Sequence, residues 1–132
     1  HDDEYLYLLE RTGAWLKVVG EGIYATRPWT HASEGPSSVV IEGFREDAVT
    51  WTSEDFRFTS KGKQVYAFLM KWPEGGKTVV CSLARGKVGR VVDVALLGAP
   101  PVSWQQTERG LAVDLPMDKP CDYAQCLRVT LE

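Results

Sequence analysis

A chain of 132 residues with 44% apolar and 25% charged residues is one domain-sized unit with enough apolar content for a core of its own. The net charge of −3 argues against a duplex nucleic-acid binder, which needs a basic face for phosphate. No apolar run approaches the roughly 20 residues of a membrane helix, and no leader-like segment opens the sequence; for a fragment, this leaves the compartment of its parent open.

The opening segment is patterned as a helix. Tyr5, Leu8, Leu9, Thr12, Trp15, Leu16 and Val19 recur at spacings of three and four, drawing one apolar stripe. Asp2 and Asp3 suit its start, and Gly20 and Gly22 suit its stop. Ile23, Tyr24 and Thr26 are strand formers, and Pro28 is expected to interrupt any ladder. From His31 to Gly43 the sequence reads as loop, with a short strand at Val39-Val40-Ile41; Phe44 to Trp51 is ambiguous.

The remainder reads as strands separated by turns. Phe56 and Phe58 alternate with Asp55, Arg57 and Thr59, a half-buried strand. Lys61-Gly62-Lys63 signals a tight hairpin. The return strand, Gln64 to Trp72, is apolar on both sides, with Tyr66, Phe68 and Met70 on one face and Val65, Ala67 and Leu69 on the other. Such a strand needs two covers: a second sheet, and either the N-terminal helix or another domain. Further strands are expected at Lys77 to Leu83, at Val88 to Leu97 with Val92, Val94 and Leu96 on one face, around Val102 and Trp104, at Leu111-Val113-Leu115, and at Tyr123 to Leu131. Glycine turns between strands of this spacing predict a mainly β fold, an antiparallel two-sheet β-sandwich preceded by one N-terminal α-helix.

The ordered set of motifs resembles the C-terminal part of the α-L-fucosidases of glycoside hydrolase family 29. The carriers are Trp15 to Trp29 (WLKVVGEGIYATRPW), Asp55 to Thr59, Lys61-Gly62-Lys63, Val65 to Ala67, Trp72 to Lys77, Leu96-Leu97-Gly98, Gly110 to Pro116 and the strand around Tyr123-Ala124. Together they span nearly the whole chain; Ala25 departs from the pattern, which has glycine there. The resemblance implies that residues 1–22 are the terminal helix and linker of a catalytic (β/α) barrel, and 23–132 a non-catalytic C-terminal sandwich that braces it. The parent would hydrolyse terminal α-L-fucosides with retention. Its nucleophile and acid/base carboxylates would lie upstream, leaving this chain without catalytic residues.

The residues themselves offer little independent chemistry. A retaining glycosidase needs two carboxyl groups about 5–5.5 Å apart. Among 18 acidic residues some pair is close by chance, and Asp55, Asp93 and Asp114 are expected on solvated strand faces. His1 is terminal and His31 sits by Ser33 and Glu34, where an interdomain contact is expected before catalysis. Three cysteines leave at least one thiol free. Cys121 and Cys126, roughly 16 Å apart along a strand, cannot bond, and Cys81 faces either only across a sheet; buried thiols are the expectation. No cofactor or metal is implied.

The tryptophans carry the binding readings. Trp15, Trp29 and Trp72 are expected to pack at the domain junction, with Arg27 pairing across it. Trp51 is the candidate for an exposed platform stacking on a fucosylated glycan. Two competing readings follow: a carbohydrate-binding module using Trp51, and an interaction domain that forms a homodimer through the helix stripe.

Overall fold

The computed structural model describes residues 13–36, 52–120 and 124–132, with backbone alone at 31 and 32. Residues 13–19 are helical (α1) and tighten into a 3-10 turn at Gly20–Gly22. Eight strands follow among the described residues: β1 (Arg27–Glu34), β2 (Phe56–Lys61), β3 (Gln64–Leu69), β4 (Lys77–Val80), β5 (Val91–Leu96), β6 (Trp104–Gln106), β7 (Leu111–Asp114) and β8 (Gln125–Leu131). They form two antiparallel sheets, ordered β1-β2-β3-β8-β5 and β4-β7-β6. The expected two-sheet sandwich with an N-terminal helix is the observed fold.

The core forms where the inward positions of both sheets meet. Phe56 and Phe58 of β2, Val65, Ala67 and Leu69 of β3, and Leu127 and Val129 of β8 face Val80, Leu111 and Val113 of the smaller sheet. The β2–β3 hairpin turns at Gly62-Lys63, with Gly62 at φ 59 and Lys61 opposite Gln64. Only glycine reaches such positive φ without steric cost, so the hairpin signal has a backbone cause.

β3 is buried on both sides. Its other face, Tyr66 and Phe68, joins Val19, Leu97 and Cys126 in a second cluster, against which Trp15, Val18, Met70 and Ala124 pack. Among the described residues, the outer cover of β3 is therefore the end of α1.

Several expectations give way. The strand expected before Pro28 is a turn over 23–25, and β1 instead starts at Arg27 and runs through Pro28, His31, Ser33 and Glu34. β1 is an edge strand, where a residue without an amide hydrogen is tolerated, and its register slips between Pro28 and Ser33. β4 ends at Val80, and Cys81–Leu83 is a 3-10 turn. A bulge between Val91 and Asp93 buries Val91 and turns Val92 outward, although Val94 and Leu96 stay inside.

Asp55, expected to be solvated, is 1% exposed. Its carboxylate accepts hydrogen bonds from the Thr52 amide at 2.7 Å and the Thr52 hydroxyl at 2.8 Å, and its carbonyl accepts from the Met70 amide. A carboxylate so tied is a turn-builder. Cys81 is exposed, against the expectation of buried thiols, whereas Cys126 is buried. Val39-Val40-Ile41, the ambiguous 44–51 stretch, Cys121 and Tyr123 lie outside the described residues.

Ala25 has φ 57, in the left-handed region. An L residue there loses about 1–2 kcal/mol, and the entropy of glycine returns only part of the gain. Ala25→Gly is thus expected to raise unfolding stability by about 0.5–1 kcal/mol, read from urea denaturation midpoints. A midpoint that falls would show that Ala25 is not strained.

Candidate functional site at the helix–sheet junction

The turn Gly20–Gly22 is the point where the helix meets the sheet, and four kinds of contact hold it. The first is close approach. A Cβ on Gly22 would lie 2.8 Å from the Phe68 ring and 2.9 Å from the Cys126 sulfur; one on Gly20 would lie 2.7 Å from the Tyr24 ring. These glycines let backbone touch side chains where any larger residue would intrude. Gly98, at φ 83, similarly receives Val18, whose Cγ1 is 2.6 Å from the Cβ position.

The second is a charged clasp. The Glu21 carboxylate accepts two hydrogen bonds from Arg128 of β8, at 3.1 and 2.9 Å, and one at 2.8 Å from the hydroxyl of buried Tyr66 on β3. Charge-assisted bonds of this kind are the stronger class. The Arg128 bond, opposed by partial burial and helped by Tyr66, holds the Glu21 carboxyl below the ordinary 4.5. Burial, then the neighbouring Glu21, pushes the Tyr66 hydroxyl up to about 12. Gln64 supplies a second oxygen at 3.0 Å from the same hydroxyl.

The third contact is Trp15. Its indole N–H donates to the Ala124 carbonyl at 2.7 Å, and its ring lies on the second cluster. The fourth is Thr59 of β2, whose hydroxyl donates to the Gly22 carbonyl. Helix, turn and three adjacent strands of the large sheet are thus tied together.

The sequence-derived candidates distribute unevenly. Trp15 lies in this junction. Trp29, half-buried on β1, packs edge-on against Phe58 with ring centres 5.0 Å apart, and Trp72 is half-buried against the main core. Both tryptophans use those faces inside the sandwich. Arg27 is exposed on β1 beside Ser60 and has no side-chain bond among the described residues. The backbone of His31 lies in β1. Trp51 lies outside the described residues. Sequence reasoning missed Glu21, Tyr66 and Arg128: a polar residue within a glycine turn, one aromatic on an apolar strand and one charge on a closing strand give no joint signal. Among the described residues there is no cluster of metal-ligating side chains.

The family model described as the alpha-L-fucosidase C-terminal domain matches residues 37–130. The chain is 34% identical over 130 residues to the plasma alpha-L-fucosidase of Pongo abelii and 33% identical over 130 residues to that of Homo sapiens. Each match covers 92% of this chain and 24% of the relative. A solved structure of Thermotoga maritima alpha-fucosidase in complex with fucose shares the fold, with TM-score 0.61 and 21% identity over 89% of this chain and 24% of that one. The chain therefore spans about a quarter of the length of the curated relatives it matches.

The clasp has a pH signature. A carboxylate whose folded-state value lies below 4.5 stabilises the fold above that pH and ceases to do so as pH falls through the lowered value. Glu21→Gln is expected to cost about 1 kcal/mol at pH 7, with the gap to the parent chain closing below pH 4.5. Tyr66 runs the other way. Its contribution is present below pH 10 and fades as pH rises toward about 12, so the stability difference between the parent chain and Tyr66→Phe should shrink over that range. Urea titrations across pH measure both; differences that ignore pH would remove the clasp from the account of stability.

Proposed function

This chain belongs to the alpha-L-fucosidase C-terminal domain family, and from that premise we propose that it is the non-catalytic, bracing domain of a retaining α-L-fucosidase. The parent hydrolyses terminal α-linked L-fucose on a (β/α) barrel that carries both catalytic carboxylates, and this sandwich holds the barrel in place. The identity to full-length fucosidases, combined with coverage of a quarter of their length, supports the assignment to a domain of such an enzyme.

The observation that carries the bracing role is the junction itself. Val19 is fully buried against Tyr66, Phe68, Leu97 and Cys126, so the end of α1 is part of the packed sandwich. In this reading residues 1–22 come from the barrel side, and whatever α1 is anchored to upstream is held at a fixed orientation to the sheets. Exposed Arg27 is the interdomain candidate whose side chain is open to a carboxylate on the barrel, whereas Trp15, Trp29 and Trp72 stiffen the domain that presents it.

Burial of Val19 and the Trp15 bond to Ala124 also weigh against the homodimer reading, because the described end of the stripe already has its cover.

Two measurements test the proposal. The purified 132-residue chain is expected to release no chromophore from an aryl α-L-fucoside, and the full-length parent to do so with retained anomeric configuration. Turnover by the short chain, or a full-length parent inert toward every α-L-fucoside offered, would overturn it. Bracing predicts that Glu21→Gln in the full-length parent lowers the temperature of irreversible inactivation by about 1–3 °C, the scale of about 1 kcal/mol in a chain of that size, without changing KM.

A further inference from the structure

The sandwich has a second built feature, away from the junction. Between the end of β1 and β4, each an outer strand of its sheet among the described residues, an open cleft of about 630 Å³ is lined by Glu34, Ser53, Glu54, Thr78, Val79, Ser82 and Lys87, among others. This volume lies in the range of sites that hold small ligands.

Its walls are held by three devices. The Glu34 carboxylate reaches from β1 to the 3-10 turn that follows β4 and accepts the amide hydrogens of Cys81 and Ser82 at 2.9 and 2.8 Å. Gly35 adopts φ 108, and a Cβ there would run into the Asp55 carboxylate and the Glu54 carbonyl. Asp55, fully buried, fixes the turn that presents Ser53 and Glu54. A backbone position open only to glycine and hydrogen bonds that tie the walls together are features that preorganise a cleft.

The lining chemistry selects the ligand. Lys77 and Lys87 are balanced by Glu34 and Glu54, so the cleft has no net sign to draw a phosphate or a polyanion. Ser53, Thr78 and Ser82 offer hydroxyls that both donate and accept, Lys87 donates and Glu54 accepts. Half-exposed Val79 offers an apolar surface for C–H groups. The Cys81 thiol, exposed over most of its surface, is held above its ordinary 9.0 by partial desolvation and then by the Glu34 charge, so it carries no charge at neutral pH. Mixed donors and acceptors, no net charge and an apolar patch match a polyhydroxylated, uncharged molecule.

We infer that this cleft binds a neutral oligosaccharide, through Glu54, Lys87 and the hydroxyls of Ser53 and Ser82. The inference rests on the fucosidase reading for its choice of glycan.

Amide spectra of the isotopically labelled 132-residue chain, titrated with a fucosylated lactose trisaccharide to about 20 mM, test it. Saturable shifts are expected at Gly35, Ser53, Glu54, Val79, Ser82 and Lys87. Glu54→Gln and Lys87→Ala, both exposed, should each weaken binding about five-fold while leaving the rest of the spectrum unchanged. Sodium phosphate is the ionic control and should produce no saturable shift. Absent shifts, shifts confined to other faces, or saturation by phosphate alone would overturn the inference. Hydrolysis of aryl fucoside by the full-length parent is scored separately: a parent that turns over with a silent cleft sinks this inference and spares the enzyme reading. An inert parent sinks the reading itself.

Discussion

A strand that is apolar on both faces cannot be satisfied by one neighbour. β3 is that strand here, and the rest of the molecule is arranged to cover it. Val65, Ala67 and Leu69 require the small sheet; Tyr66 and Phe68 require something on the outside. Burying a large side chain of this kind is worth about 1.5–3 kcal/mol, so leaving the outer pair exposed would remove much of a domain's net stability. The end of α1 fills the need with Val19, Val18 and Trp15. Its docking is thus a requirement of the sheet as much as a property of the helix.

Docking an element end-on brings polar groups into partly buried space. Tyr66 is the case in point, since its ring belongs to the apolar layer but its hydroxyl must find a partner. Glu21 supplies one, and Arg128 compensates the charge that Glu21 introduces. The three residues form a chain in which each removes the cost of another. A surface ion pair alone contributes little. This pair matters because it positions an acceptor for a group that has lost its water.

Legibility in the sequence follows the same physics. Alternation is local, so the β2–β3 hairpin, β7 and the two faces of β3 were readable directly, and β8 as a strand without its faces. The double-sided burial of β3 was readable as well, though not which partner supplied its outer cover. What escaped depends on neighbours remote in sequence. Pro28 stands in a strand because β1 lies at an edge, and nothing around Pro28 reports that. Val92 faces outward because one bulge shifts the register against β8, undoing an alternation that looked sound on paper. Asp55 occupies a polar position by pattern, yet is enclosed because Thr52 and Gly35 close over it. The junction was half visible: Trp15 and Val19 by helical spacing, Gly20 and Gly22 as a stop, Glu21 not at all.

Glycines in a connecting segment are ordinarily taken as a sign of freedom, and Gly-Glu-Gly between a helix and a sandwich looks like a hinge. Here the opposite holds. Gly20 and Gly22 are buried, and their missing side chains are replaced by the Tyr24 ring, the Phe68 ring and the Cys126 sulfur. Glu21 between them is bonded to two strands, and the Gly22 carbonyl to a third. To bend this turn, the chain would have to break the charged clasp and vacate the packed contacts together. Each is worth roughly 1 kcal/mol, and they are lost jointly because they share one rigid turn. A hinge needs alternative conformations of similar energy. This turn has its glycines in use for close packing, so the end of α1 is held to the large sheet through them.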